Sequence, residues 1–235
     1  MTGLILSRAR LRGDAPVAAL ARLLVPADAG DRAVASHRLV WSLFTDGAGR
    51  RRDFLWREEG AGSFLALSRR PPNPLDDLFE IESRPFEPVL SAGDQLGFRL
   101  RANPVVARKP PGAAPGARGV RHDVVMDALH RLPPSAARAE ARPAAVVEAG
   151  RGWLDRQGAA HGFEVLGEAG VDGYETLDLA REGGRSIRYG VLEFEGLLRV
   201  RDPAAFLAAL AAGFGRARAF GCGLMLIRRA LWARG

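Results

Sequence analysis

His37, His122, His130 and His161 are the four histidines of this 235-residue chain, and histidine is the side chain that exchanges protons near neutral pH. None of them stands in the HExxH spacing that makes a zinc site. Cys222 is the only cysteine, so no disulfide and no multi-cysteine metal site can form within one chain. Cys222 lies between two glycines and reads as a small buried residue rather than a nucleophile. No dinucleotide fingerprint, phosphate-loop lysine or carboxylate pair is present. No metal and no cofactor are therefore expected.

The sharpest local pattern runs from Gly213 to Gly223. Two Gly-x-Gly units, Gly213 with Gly215 and Gly221 with Gly223, flank five residues that include Arg216 and Arg218. Glycine lets backbone approach a ligand closely, and successive amides in such a loop can form an anion-binding nest. The loop follows a helical stretch and precedes a strand-like one, the reverse of the dinucleotide-binding order. A plain helix-to-strand turn would also use these glycines; the two arginines favour an RNA-facing role.

Charge is distributed unevenly around these residues. The net charge is +7, and Lys109 is the only lysine among 34 basic residues. Six basic residues and no acidic one lie between Arg99 and Arg121, and no acidic residue follows Asp202. Such runs attract polyanions, although a solvated basic face has the same composition. The opening MTGLILSRARLRGD lacks a secretory signal pattern, and no apolar run is long enough to span a bilayer. A soluble cytoplasmic protein that does not enter a membrane is expected.

The elements that must hold these residues follow from period and punctuation. Residues 2–9 read as a strand, Pro16–Leu24 as a helix, and Arg32–Phe44 as a helix capped by Asp31. In that helix Val34, His37 and Trp41 recur at helical spacing. DFLWREEGAGSFLALSRR (53–70) reads as a hairpin around Gly60-Ala61-Gly62, residues 71–76 as a loop, and Phe79–Ser83 and Gln95–Arg101 as strands. KPPGAAPGARG (109–119) is rich in Pro and Gly and reads as a flexible connection. Beyond it His122–Leu132 and Ala144–Gln157 read as helices, and Phe163–Leu166, Tyr174–Ala180 and Ile187–Val200 as strands. Asp202-Pro203 opens a helix that Gly213 stops, and Gly223–Arg228 is a final buried strand. Each half has strands and helices in an order compatible with β-α-β-β-α-β. The expected class is α+β with two tandem ferredoxin-like (RRM-like) domains. They are placed at residues 1–108 and 120–235, joined by 109–119.

The sequence resembles the CasE family of CRISPR-associated repeat endoribonucleases. GFGRARAFGCGLMLI is similar to that family's glycine-rich loop and last strand, and YGVLEFEGLLRVRDPAAFLAAL to the strand and helix before them. FRLRANPV (98–105), GVRHDVV (119–125), RDFLWREE (52–59) and SHRLVWSLF (36–44) fit in the expected order. The resemblance implies two ferredoxin-like domains and a single cut at the 3′ side of a CRISPR repeat hairpin. It also implies a mature guide RNA that stays bound and enters the Cascade complex with its other subunits. A monomer is expected outside that complex.

On this resemblance His37 is the catalytic histidine. Metal-free cleavage needs the RNA 2′-OH to attack the adjacent phosphorus, a base for its proton, and cations for the phosphorane. It leaves 2′,3′-cyclic phosphate and 5′-OH ends. Read from its residues alone, His37 is as well a helix histidine packed on Trp41. Val34 stands where some family members place a tyrosine, one turn before the histidine, so no phenol assists there. Arg38 follows His37 in sequence and supplies a nearby cation. Arg181, Arg185 and Arg188 occupy the turn that corresponds to the family's basic hairpin, and Arg216 and Arg218 complete the RNA-binding set. His122, His130 and His161 read as structural or surface groups. The alternative is a non-catalytic RNA-hairpin-binding subunit.

Overall fold

The computed structural model describes residues 3–45, 47, 52–109, 112, 114, 116–132, 137–180 and 186–230. They form two compact units, each built from non-contiguous segments. The first comprises Met1–Val89, Leu177–Arg188 and Ala209–Leu224; the second comprises Leu90–Thr176, Tyr189–Ala208 and Met225–Gly235.

In the first unit, β1 (Leu4–Leu11) leads into two short helices, α1 (Ala15–Ala19) and α2 (Ala21–Leu24), and then α3 (Ala29–Ser42). β2 (Phe54–Gly60), β3 (Ser63–Ser68) and β4 (Phe79–Phe86) follow. The sheet order is β2-β3-β1-β4, with β1 antiparallel to both β3 and β4. This is the ferredoxin-like order, with irregular chain rather than a helix between β3 and β4. Leu39 and Val40 of α3, with Leu43 and Phe44 just after it, bury against Phe54, Trp56, Phe64 and Phe79 of the sheet. The expected cap at Asp31 is corrected. Asp28 is the N-cap, its carboxylate accepting from the Asp31 amide at 2.9 Å. Asp31 falls instead in the first turn, where a negative charge favours the helix N-terminus. The single helix read at Pro16–Leu24 is interrupted at Leu20, a 3-10-like step between α1 and α2.

The second unit contains β5 (Gln95–Ala102), β6 (Val105–Arg108), β7 (Val120–Asp123), α4 (Val124–Arg131) and α5 (Ala137–His161). β8 (Phe163–Ala180), β9 (Ser186–Val200), α6 (Pro203–Ala212) and β10 (Met225–Arg229) complete the chain; the far ends of β8 and β9 and the end of α6 belong to the first unit. The second sheet has the order β10-β5-β9-β8. With α4 and α5 after β5, and α6 before β10, this is a full β-α-β-β-α-β arrangement. The α+β class with two ferredoxin-like domains therefore holds. The segmentation differs from a cut at 109–119, because β5 precedes that segment yet pairs with β9 and β10. Alternation along β5 buries Leu96, Phe98, Leu100 and Ala102, and alternation marks a buried face without naming the sheet that provides it.

Three further readings are corrected in this unit. Residues 109–119 lie inside a hairpin, because β6 and β7 on either side pair antiparallel. His122 is therefore on β7 and not on a helix; α4 begins after Asp123, whose carboxylate accepts from the Val125 and Met126 amides at 2.9 and 3.1 Å. The strands read at 163–166 and 174–180 are one strand, β8. Gly167 and Gly173 take positive φ within it (66° and 64°), which bends a strand as a bulge does without ending it.

Arg108 and Arg131 both pair with Asp127, tying β6 to α4, and the Arg108 bond above all holds the Asp127 carboxyl down at about 2. Trp153 of α5 is 2% exposed, with its ring 5.4 Å from that of Phe194. Truncating so large a buried ring leaves a cavity, so Trp153→Ala is expected to cost about 3–5 kcal/mol in urea unfolding. A loss below about 1 kcal/mol would contradict this packing. Among the described residues no helix is long and apolar enough to cross a membrane.

Candidate active site

His37 lies on α3 at the edge of the face that covers the first sheet. Leu39, Val40, Leu43 and Phe44 turn inward, which leaves His37 half-buried and Arg38 exposed on a different side of the helix. The His37 and Trp41 rings, one turn apart, have centroids separated by 5.9 Å. The His37 ring also meets that of Phe220, with centroids 5.2 Å apart. The packing partner expected from sequence is therefore present, together with a second one from the far end of the chain.

The glycine-rich loop supplies that second partner, and all of it belongs to the first unit. Gly213 ends α6 in a left-handed conformation (φ 80°), with its amide bonded to the Ala209 carbonyl at 2.7 Å. The loop closes where the Phe214 amide donates to the Gly223 carbonyl at 2.9 Å. Between these points a 3-10 turn, Arg218–Phe220, lies against both β2 and α3. A Cβ on Gly221 would stand 3.2 Å from the Trp56 ring. Cys222, within this loop, is buried.

The turn aims one carbonyl at two aromatic donors. His37 Nδ1 is 2.8 Å from the Ala219 carbonyl oxygen, and the Trp56 indole N–H donates to the same oxygen at 3.1 Å. A carbonyl oxygen can only accept, so His37 holds its proton on Nδ1. The other ring nitrogen, Nε2, then carries the lone pair when the ring is neutral. Packing on Trp41 and Phe220 fixes the plane of the ring, and the Ala219 bond fixes its tautomer. The arrangement can abstract a proton at Nε2 without the ring having to turn.

The arginines of the same unit differ in burial. Arg218 is half-buried, its Nε donating to the Gly215 carbonyl at 3.2 Å, while Arg216 is exposed. Burial lowers the Arg218 pKa, and the charge of Arg216 adds to that. Arg188 is exposed near the far end of β9 in the same unit. The far end of β8 reaches the first turn of α3, where a Cβ on Gly30 would come within 2.6 Å of the Asp178 carbonyl oxygen. Arg181 and Arg185 lie outside the described residues. His122 and His130 are exposed, and His161 is half-buried at the end of α5; none of the three shares the unit of His37. Among the described residues no three His, Cys, Asp or Glu side chains are grouped to hold a metal ion.

Sequence reasoning did not find the Ala219 carbonyl or the Trp56 N–H. Trp56 lies in a segment that carries the family resemblance, but nothing in its spacing points to a bond with a backbone oxygen 163 residues away.

Two ferredoxin-like domains with a histidine oriented by a glycine-rich, arginine-bearing loop define a class of protein, and the comparisons place the chain within it. A model of the family described as CRISPR associated protein matches residues 4–229, and the chain belongs to that family. It is 30% identical over 154 residues to the CRISPR-associated endoribonuclease Cse3 of Thermus thermophilus, an alignment spanning 61% of this chain and 60% of that protein. It is 27% identical over 197 residues to the CRISPR system Cascade subunit CasE of Escherichia coli K12, spanning 80% of this chain and 88% of that protein. A structure of Cse3 bound to a 19-nucleotide RNA superposes with a TM-score of 0.63 at 25% identity, covering 96% of this chain and 98% of that one. The resemblance to CasE read from the sequence is borne out.

Proposed function

We propose that this chain is a metal-independent endoribonuclease that cuts CRISPR precursor RNA once, at the 3′ side of the repeat stem-loop. The observation that carries this reading is the bond from His37 Nδ1–H to the Ala219 carbonyl, which leaves Nε2 as a positioned base. Nε2 takes the proton of the 2′-OH, the 2′ oxygen forms its bond to the adjacent phosphorus, and the bond from phosphorus to the 5′ oxygen breaks. The departing 5′ oxygen takes up a proton, giving 2′,3′-cyclic phosphate and 5′-OH ends. The names of the relatives, an endoribonuclease and a Cascade subunit, support the same reading.

Arg38, Arg188, Arg216 and Arg218, with Arg181 and Arg185, are the proposed RNA contacts. A duplex stem is read through phosphates and 2′-hydroxyls, which a planar guanidinium engages with paired bonds. The product stays bound and enters Cascade as the mature guide RNA. A non-catalytic hairpin-binding subunit is the second reading. It is favoured by Val34, which offers no proton donor one turn before His37 on α3.

Incubating the protein with a labelled repeat hairpin in EDTA tests the proposal. One cut that leaves a cyclic phosphate end is the expected result. Tight binding with no cut would establish the second reading, and cleavage that appears only with added divalent metal would overturn the mechanism.

A further inference from the structure

The acid-free stretch from Arg99 to Arg121 has no part in the site described above, although it holds six basic residues. Two of them are spent within the second unit. Arg101 pairs with Glu193 at 2.9 Å and with Glu175 at 3.5 Å, and Arg108 pairs with Asp127. Arg99 belongs to β5, inside the sheet. Lys109, Arg118 and Arg121 remain. All three are exposed, and none has an ion-pair partner among the described residues.

The fold gathers these three on one ribbon. β6 and β7 pair antiparallel, with Ala107 opposite Arg121 and Arg108 opposite Val120. Lys109 follows Arg108 directly, and Arg118 stands two residues before Val120. The two chains stay together past the last pair: a Cβ on Gly119 would stand 3.1 Å from the Arg108 carbonyl oxygen and 3.2 Å from the Ala107 Cβ. A two-stranded ribbon is marginal by itself and needs packing against a further element. Here the Arg108 fork donates to both carboxylate oxygens of Asp127 on α4, at 2.7 and 2.5 Å. The Val124 amide, where α4 starts, donates to the Pro104 carbonyl at 3.2 Å. Side chains alternate across a strand, so Arg108 turns towards α4 while Ala107 and Arg121 take the opposite face. The two acids nearest the ribbon in sequence are committed elsewhere. Asp127 holds Arg108 and Arg131, and Asp123 accepts from the Val125 and Met126 amides and from the Tyr174 hydroxyl.

We infer that the β6–β7 ribbon is an arm that holds the phosphate backbone of RNA through Lys109, Arg118 and Arg121. The inference rests on the RNA-cutting reading and adds to it a contact surface in the second unit. The small residues Ala107 and Gly119 share the outward face with Arg121 and leave the ribbon backbone open to the approach of a phosphodiester chain. A protein partner would find no large apolar anchor among them. Cations exposed in this way bind RNA through its charge; they position it and read no base.

Equilibrium binding of a labelled repeat hairpin by the intact protein, followed over about 50–500 mM salt, tests the arm. Each phosphate contact adds roughly one to the slope of log affinity against log salt. The triple variant Lys109→Gln, Arg118→Gln, Arg121→Gln is expected to flatten that slope by about 2–3 and to bind about 10-fold more weakly at the low-salt end. The charge-keeping variant Lys109→Arg, Arg118→Lys, Arg121→Lys is expected to retain the wild-type slope. A control, Arg84→Gln, Arg142→Gln, Arg156→Gln, neutralises three exposed arginines elsewhere and is expected to retain it too. A neutralised arm with wild-type slope and affinity would overturn the inference and leave the nuclease reading intact. So would equal losses in the arm and control variants, because net charge alone would then account for them. A loss of slope in the charge-keeping variant would make the three residues structural and overturn it as well. Wild-type protein that binds no hairpin would sink both readings, whereas arm-dependent binding without cleavage would keep the arm and drop the nuclease alone.

Discussion

His37→Ala is expected to slow single-turnover cleavage of a repeat hairpin by about 10²–10⁴-fold while leaving hairpin affinity within a few-fold of wild type. The size follows from removing the group proposed to take the 2′ proton; the arginines proposed to bind RNA are other residues. His37→Asn makes the assignment sharper. An asparagine amide N–H can take the place of Nδ1 and still donate to the Ala219 carbonyl, now 2.8 Å from that ring nitrogen, but nothing replaces Nε2. The asparagine variant should therefore fold and bind like wild type and cleave no faster than the alanine variant. Cleavage by either variant at the wild-type rate would remove His37 from the mechanism and leave it as a packing residue beside Trp41 and Phe220.

Gly223→Ala is expected to be the most damaging small change in the loop. Gly223 has φ 94°, and a Cβ there would stand 2.7 Å from the Phe214 carbonyl oxygen, a backbone atom that cannot swing aside. Its own carbonyl accepts the Phe214 amide that closes the loop. Strain and clash act together, and a cost of about 2–3 kcal/mol is expected in the urea midpoint. Because the same loop presents the Ala219 carbonyl to His37, the rate should fall as well, even where the variant remains folded. A Gly223→Ala protein as stable and as active as wild type would mean that the loop is not held as described.

The chain of consequences from loop to base explains why the glycines and the histidine belong to one device although they are far apart in sequence. Gly213 and Gly223 let the loop close, closure turns Ala219 toward α3, and its carbonyl selects the tautomer of His37. Trp56 shares that carbonyl, so β2 also helps to hold it in place. A histidine with two aromatic neighbours and one nitrogen committed gives up rotamer freedom during folding rather than at the moment of reaction.

Much of this protein is determined locally. Hydrophobic period and turn residues placed most helices and strands, because burial on one face of an element writes itself into residues three, four or two apart. The Asp202-Pro203 start and Gly213 stop of α6 were legible for the same reason: a capping carboxylate, a fixed φ and a left-handed glycine are properties of single residues. The glycine-rich loop, the lone cysteine and the arginine runs were likewise open to reading, as was the helix that carries His37.

Other features were settled only by tertiary structure. β5 reads as an alternating strand, and nothing local says that its hydrogen bonds go to β9 and β10 rather than to the strands preceding it. Gly167 and Gly173 read as breaks, but β8, paired with β9 at the edge of the sheet, runs continuous through them. The acceptor that orients His37 is a backbone oxygen 182 residues away, and a carbonyl has no residue type by which it could be recognised. Arg218 is one among many arginines until folding half-buries it and bonds it to the Gly215 carbonyl. Side-chain chemistry can be inferred from the chain itself; the bonds, fields and burial that select among such side chains exist only after distant segments have met.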